Sequence, residues 1–505
     1  MEKTLQLADE TATQALAAEL SLVARAGDVI LLAGDLGAGK STFARSFIRA
    51  LSGGAEIEVP SPTFTLLQVY ENLRFPVAHA DLYRLSTAAE ADELGLADLA
   101  QTHVLLIEWP DRLEGQSLSA ETLTVELHHQ GEARSARLLP QGSWVGRLQK
   151  LAAIKGFLAK AGWGKAERRF LEGDASSRRY ERLTLDGEPA VLMDMPERDD
   201  TKLLKNGRTY SETAKLAHSV TAAAALARAL KDKGYSAPET YASNLAQGFL
   251  LTEDLGDQVY GRLMKQAADM REPLAEAVAV LARLAGESWP DKLPAGEGKS
   301  HVVPAYDLQA YEIELDLFVQ WFAPALTGKS VEASVASEFS AIWKKLLAPI
   351  LAAPRVLVLR DYHSPNLIWL PQRQGFQRVG LIDTQDALMG HAAYDLGSLL
   401  QDARVEVPPE TASELLDHYC SLRRSADPGF DAASLRRACL ILSTQRLLKV
   451  LGIFVRLSRR DGKHGYLRLI PNLMKYLAHN LAHPDLASLA QWRQTHLPRE
   501  WVLHG

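Results

Sequence analysis

The chain has 505 residues, of which 47% are hydrophobic and 23% charged, and a formal net charge of −6. That length suits about three or four folded units, and the composition excludes wholesale disorder, a collagen-like repeat and a mainly membrane-embedded chain. The 56 Lys and Arg against 62 Asp and Glu give no global basic field for nucleic acid or anionic lipid, so any link to RNA is indirect or local. Cys420 and Cys439 are too few for a disulfide framework or a four-thiolate zinc site. They read as small core residues in a reducing compartment. The first residues, Met1 to Gln6, lack the apolar stretch of a signal peptide, and no run of about 18 uncharged apolar residues occurs anywhere. A cytoplasmic protein with no membrane partner is expected.

Charge is unevenly spread. Residues 1–140 hold 10 Lys and Arg against 20 Asp and Glu, and the rest of the chain holds 46 against 42. Two differently built units are expected, at 1–142 and 143–505. Alternation over Leu123 to Leu127, then His128 to Arg137 and the polar Pro140 to Ser143, reads as a final hairpin and a short linker. From Trp144 onward, Leu148, Leu151, Ile154 and Leu158 recur at helical spacing and open a helix-rich region.

The apolar run Val29 to Ala33 predicts a buried parallel strand, and Gly34-Asp35-Leu36-Gly37-Ala38-Gly39-Lys40-Ser41 follows it directly. Thr42 to Leu51 then reads as a helix with Phe43, Phe47, Ile48 and Leu51 on one face. Strand, glycine loop and helix start form a phosphate cradle: backbone N–H groups and the helix dipole favour an anion. Lys40 would bridge the β- and γ-phosphates, and the Ser41 hydroxyl would face Mg2+. A metal site also needs carboxylates. Asp81 follows the alternating run Phe75 to Ala80, and Glu108 ends the apolar run Val104 to Ile107. Either acid alone is more often a surface or capping group than a functional one.

Together, Gly34 to Thr42, Val59-Pro60-Ser61-Pro62-Thr63-Phe64-Thr65, Asp81-Leu82-Tyr83-Arg84-Leu85 and Ile107-Glu108-Trp109-Pro110 resemble the TsaE (YjeE) family of small P-loop ATPases over residues 1 to about 140. That family serves the bacterial complex that makes threonylcarbamoyladenosine in tRNA. The resemblance implies that Gly34, Gly37, Ala38, Gly39, Lys40, Ser41 and Thr42 handle phosphate and metal. It further implies that Glu108 ligates Mg2+, Asp81 organises hydrolysis, Thr11 and Trp109 lie near the nucleotide, and Ser61 to Thr65 is a switch loop. Other subunits of the complex would be partners, with tRNA met only indirectly, as the acidic balance of the unit suits.

A second phosphate site is expected further on. The run Val356 to Leu359 leads into Asp361, Asn366 falls five residues later, and Leu367-Ile368-Trp369 resumes extended structure. Asp383 ends another strand-like segment, Val379 to Ile382. In kinases an Asp accepts the proton of an attacking hydroxyl, while Asn and a second Asp hold Mg2+ on the phosphates. A hairpin with capping Asp and Asn side chains would fit the same spacing. Upstream, strand-like segments flank Gly173 to Arg178, a loop able to cover ATP phosphates, with Ser176 in its centre. Phe249 to Gly256, with Glu253, reads as the hinge where adenine docks.

Residues 146–505 resemble the aminoglycoside phosphotransferase superfamily. Gly173 to Tyr180, Met193-Asp194-Met195-Pro196 and Gln445 to Gly452 are similar to the kinases of the anomeric hydroxyl of N-acetylmuramate and N-acetylglucosamine. The implied fold is an α/β P-loop domain with a mostly parallel sheet, followed by a two-lobed, protein-kinase-like α+β domain. Its small lobe would span about 143–255 and its helical large lobe about 256–505. Two departures stand out: Leu359 replaces the usual His before the catalytic Asp, and Met193 stands where a kinase carries its phosphate-binding Lys. Arg178 or Arg179 could replace that Lys, or both could be solvated loop charges. Asp395 would brace the catalytic loop, and Asp386 is given no chemical role. His363, Asp254, Arg446 and Arg456 are polar groups in plausible regions for a sugar pocket. Acceptors such as an aminoglycoside, choline or homoserine remain open, as does a scaffold that has lost catalysis.

Overall fold

The computed structural model describes residues 3–131, 133–171, 178–197, 200–201, 203–204, 207–266, 269–498 and 503. It falls into two compact units, Met1–Leu192 and Met193–Gly505.

The first unit is built on a seven-stranded sheet: β1 (Lys3–Leu7), β2 (Val29–Ala33), β3 (Leu67–Tyr70), β4 (Val77–Asp81), β5 (Val104–Glu108), β6 (Thr122–Gln130) and β7 (Ala133–Pro140). Their order is β1-β7-β6-β2-β5-β4-β3. The central strands β4, β5, β2 and β6 run parallel, while β3, β7 and β1 add antiparallel edges. Every residue of β4 and β5 is buried, as expected of strands covered on both faces. Asp9 caps the helix Glu10–Val23 through the Ala12 N–H at 2.8 Å. The helix Lys40–Ala50 starts right after Gly39 and buries Phe43 and Phe47 completely. Parallel strands place their C-terminal ends on one side, where open α/β sheets bind ligands. Here those ends carry Gly34, Asp81 and Glu108, with Asp81 paired in register to Glu108 and Glu108 to Leu32.

The segment expected to open a new domain joins this core instead. In the helix Trp144–Lys160, Trp144 has 0% exposure and packs with Leu151 among the buried side chains of the sheet. Arg147 grips Asp28 with both Nη atoms, at 2.6 and 2.7 Å, and also donates to the Val23 carbonyl at 3.1 Å. Beyond it, β8 (Glu167–Leu171) pairs antiparallel with β9 (Arg179–Leu185). Arg74 donates to the Ser21 and Ala24 carbonyls at 2.5 and 3.2 Å and lies 4.4 Å from the Phe170 ring. Arg179 donates to the Leu22 carbonyl. Both cations thus meet the carbonyls at the C-terminal end of Glu10–Val23, where orphan acceptors and the dipole favour positive charge.

Strand β10 (Glu188–Asp194) precedes β11 (Thr240–Asn244) and β12 (Phe249–Glu253), which pair antiparallel. The second unit continues with the hairpin β13 (Lys292–Gly296) and β14 (Lys299–Val302), then β15 (Val356–Val358), β16 (Leu367–Trp369), β17 (Val379–Leu381) and β18 (Leu388–Gly390). β15 pairs with β18, and β16 with β17, both antiparallel. Helices make up most of the remainder. The longest, Ala432–Asp461, is long and apolar enough to cross a membrane by length and composition, yet 83% of its apolar window is buried inside the protein. Cys420 and Cys439 are free and buried, and burial pushes the Cys439 thiol up to about 11.

Candidate active sites

At the first site, Gly34 takes a φ of +138°, and a Cβ there would lie 2.3 Å from the Leu127 carbonyl oxygen, so only glycine lets β2 turn into the loop. Gly37 and Gly39 are also left-handed, at +78° and +106°, and Gly39 hands the chain to the helix Lys40–Ala50. Lys40 Nζ donates to the Gly34 and Asp35 carbonyls at 2.6 and 2.9 Å and stands 3.7 Å above the Trp109 ring. Burial lowers its pKa, opposed by the negative charges of Glu108, Asp81 and Asp35. The Ser41 hydroxyl donates to Glu108 Oε2 at 2.9 Å, while His79 Nε2 lies 3.0 Å from Glu108 Oε1. Thr63 donates to Asp81 Oδ2 at 2.7 Å, Ser61 lies 2.8 Å from Thr63, and the Tyr83 N–H reaches Asp81 Oδ1 at 3.0 Å. The loop Ser61 to Thr65 is thereby tied to the strand-end acid.

Lys40, Ser41, Glu108, Asp81 and Trp109 therefore meet at one point, with Ala38 buried under the loop and Thr42 in the first turn of the helix. Thr11 is exposed. Its neighbour Thr13 is buried, and a Cβ on Gly39 would come 3.8 Å from Thr13 Cγ2. Sequence reasoning missed Thr13 and His79. A His in a buried strand two residues before the strand-end acid, and so on the same face, is the signal for the latter. Among the described residues no group of three or more His, Cys, Asp or Glu could hold a metal. The Ser41 hydroxyl and Glu108 carboxylate are hard oxygen donors at hydrogen-bond distance, the kind of incomplete protein set that Mg2+ fills with phosphate and water.

At the second site, β15 ends in a turn where Arg360 adopts a φ of +70° and Asp361 follows. The Leu359 and Arg360 N–H groups donate to Asp395 at 2.6 and 2.9 Å, so Asp395 braces this turn. Asn366 Nδ2 donates to the Asp361 carbonyl at 3.0 Å, which leaves its amide oxygen as an acceptor. Leu367 pairs with Leu381, and the Ile382 N–H donates to the Asn366 carbonyl at 3.2 Å. Asn366 and Asp383 thus share one end of the β16–β17 ladder. Asp383, with a φ of +60°, accepts from Gln385 Nε2 at 2.9 Å. An amide oxygen and a carboxylate again suit Mg2+. Asp386 accepts the Ala217 N–H at 2.6 Å.

Burial pushes the Asp361 carboxyl up, but the positive charges of His363, Lys449, Arg446 and Arg360 overcome this and hold it at about 2. The side chain is ionised at neutral pH. Burial, opposed by its two backbone hydrogen bonds, raises Asp395 to about 7, and burial lowers His363 to about 4. Glu253 is engaged by Arg373 Nη2 at 2.8 Å and by the Glu239 N–H at 3.2 Å, so its side chain serves ion pairing. Ser176 lies outside the described residues, whereas Arg178 directly precedes β9 and Arg179 is its first residue. Sequence reasoning also missed Glu314. It is wholly buried and pairs with Arg360 and, at 2.7 Å, with Lys449.

Comparisons with known proteins match both halves. A family model described as "Threonylcarbamoyl adenosine biosynthesis protein TsaE" matches residues 7–137, and "Phosphotransferase enzyme family" (APH) matches residues 167–433. The chain is 36% identical over 362 residues to an N-acetylmuramate/N-acetylglucosamine kinase of Caulobacter vibrioides, covering 70% of this chain and 98% of that one. It is 41% identical over 107 residues to the tRNA threonylcarbamoyladenosine biosynthesis protein TsaE of Rickettsia felis, covering 21% of this chain and 62% of that one. The crystal structure of choline kinase LicA from Streptococcus pneumoniae matches at 14% identity and a TM-score of 0.44, covering 65% of this chain and 98% of that one. The chain belongs to the phosphotransferase enzyme (APH) family and carries a TsaE family domain at its N-terminal end.

Proposed function

We propose that the chain is a bifunctional, cytoplasmic, Mg2+- and ATP-dependent enzyme whose functional division falls at 142/143. Its first site hydrolyses ATP in support of tRNA threonylcarbamoyladenosine formation, acting with the other subunits of that complex. Its second site transfers the γ-phosphoryl of ATP to the anomeric hydroxyl of N-acetylmuramate or N-acetylglucosamine, as in cell-wall recycling. At the first site Lys40 and the loop N–H groups would bind phosphate, Ser41 and Glu108 would hold Mg2+, and Asp81 would position the hydrolytic water. At the second, Asn366 and Asp383 would hold Mg2+, which when bound neutralises phosphate charge. Asp361, ionised and flanked by cations, would accept the hydroxyl proton, and Arg178 or Arg179 would serve in place of the Lys missing at Met193.

The observation that carries the kinase reading is the meeting of Asp361, Asn366 and Asp383 around one turn in a chain that spans nearly the whole length of its sugar-kinase relative. Asp361 is ionised at neutral pH, the form that can accept a proton. The test is incubation of the intact protein with labelled ATP and a panel of sugars, aminoglycosides, choline and homoserine. An alkali-stable, acid-labile sugar 1-phosphate is expected. Label on another acceptor, or on none, would refute the assignment.

A further inference from the structure

Behind the catalytic turn of the second unit lies a buried network of charges. Glu314, with 0% exposure, accepts from Tyr306 at 2.5 Å and Gln445 at 3.0 Å, and pairs with Lys449 at 2.7 Å and with Arg360. A carboxylate has about four acceptor positions, so Glu314 is saturated. Asp395 is used in the same way by the Leu359 and Arg360 N–H groups. Gln445 and Lys449 lie on the helix Ala432–Asp461, which packs tightly on the helix Ala393–Leu400: a Cβ on Gly397 would meet Ser443 Oγ at 2.4 Å. Asp395 is on the second of these helices, and so the turn of the first that carries residues 443–449 is pinned against the catalytic loop.

Arg446 stands in that turn. It is only 6% exposed, and among the described residues it makes no hydrogen bond and no ion pair. A guanidinium this buried and without a carboxylate keeps only residual hydration, for none of its nitrogens is among the wholly buried atoms that lack a partner. The local carboxylates are spent, apart from Asp361, whose charge Arg446 feels and which the reaction needs. Arg446 therefore stands without a hydrogen-bonded carboxylate beside the base that would receive the acceptor proton, whereas Arg360 and Lys449 share Glu314. Arg456, the other arginine of this helix near the region, is about 15 Å further along it and stacks 5.4 Å from the Tyr210 ring.

We infer that Arg446 is the specificity residue that binds the carboxylate of an acidic acceptor sugar, holding it with its anomeric hydroxyl towards Asp361. This rests on the sugar-kinase reading and names the part of the acceptor that the site recognises. N-acetylmuramate carries a lactyl carboxylate and N-acetylglucosamine does not, and a guanidinium fork fits a carboxylate by two parallel hydrogen bonds.

The experiment measures kcat/KM for both sugars with the intact wild type, Arg446→Met and Arg446→Lys. The ratio of N-acetylmuramate to N-acetylglucosamine activity should fall tenfold or more in Arg446→Met, chiefly through KM, and recover in part in Arg446→Lys. Arg446→Met, relieved of an unpaired buried charge, should melt no lower than wild type without substrate. If both sugars lose activity in parallel in the two variants, Arg446 serves the phosphates or the fold and the inference is overturned. If the lysine variant alone is soluble, an unchanged ratio overturns it equally. A wild type that phosphorylates neither sugar overturns the proposed function and this inference with it, which separates the two failures.

Discussion

Replacing Arg147 with Met tests whether the helix Trp144–Lys160 is part of the first unit's core or a linker. Arg147 and Asp28 are 6% and 2% exposed and form a bidentate pair, and Asp28 Oδ2 also accepts the Arg25 N–H at 2.7 Å. Methionine keeps the packing of the stem against Trp144 but leaves Asp28 buried and unpaired. Breaking one side of a buried pair costs about 3–5 kcal/mol, a large part of the roughly 5–15 kcal/mol that holds a domain together. For a unit of this size that lowers its melting point by roughly 10 °C. Amide hydrogen exchange of β2 and β5 peptides in the intact chain reports this unit alone. Protection there should fall by about a hundredfold or more, and the double variant Asp28→Asn/Arg147→Met should regain part of it. A loss below about 1 kcal/mol, the level of an exposed ion pair, would refute the reasoning.

Other outcomes follow from the same coordinates. Gly34→Ala, which puts a methyl 2.3 Å from the Leu127 carbonyl oxygen, should abolish ATP hydrolysis by the first site and destabilise its unit by at least about 2 kcal/mol in urea; wild-type turnover would contradict this. Ser41→Ala and Glu108→Gln should each lower Mg2+-dependent hydrolysis by about a hundredfold or more, and titration with Mg2+ should show a raised half-saturating concentration. A fragment ending at residue 142 should be far less soluble than one ending at residue 162, because it lacks Trp144, Arg147 and Leu151, whose side chains belong to the same core and ion pair; equal solubility would contradict the packing. The Asp395 carboxyl, at about 7, sits above its unfolded value of roughly 3.9. Its protonated form favours folding, so its contribution is complete below about pH 4 and lost as pH rises through about 7. Relative to Asp395→Asn, the wild-type second unit should lose stability from about pH 4 to pH 8, and a difference that grows with pH would contradict this.

The arrangement of both candidate sites was legible because local chemistry dictates it. A glycine loop between a buried strand and a helix has few other uses, and Asp361, Asn366 and Asp383 meet through a short turn and a two-stranded ladder. Long-range pairings left no such trace. Nothing in the spacing of Asp28 and Arg147 announces a pair across 119 residues, and the helical period from Trp144 reads identically whether its apolar face meets the preceding sheet or a following lobe. Thr13 and His79 are ordinary residues of a helix and a strand until the fold sets them beside Gly39 and Glu108. Glu314 had no signal at all, because a lone Glu in a helix is normally a solvated one.

The most direct measurement compares two single variants of the intact chain, Lys40→Ala and Asp361→Asn, for ATP hydrolysis in the presence of the threonylcarbamoyladenosine subunits and for sugar 1-phosphate formation. Two separate pockets require that Lys40→Ala lose hydrolysis and keep sugar phosphorylation. Asp361→Asn should keep hydrolysis and lower sugar phosphorylation by about a hundredfold or more, while its binding of ATP stays near wild type. Loss of both activities in either variant, or sugar phosphorylation at the wild-type rate in Asp361→Asn, would contradict the account.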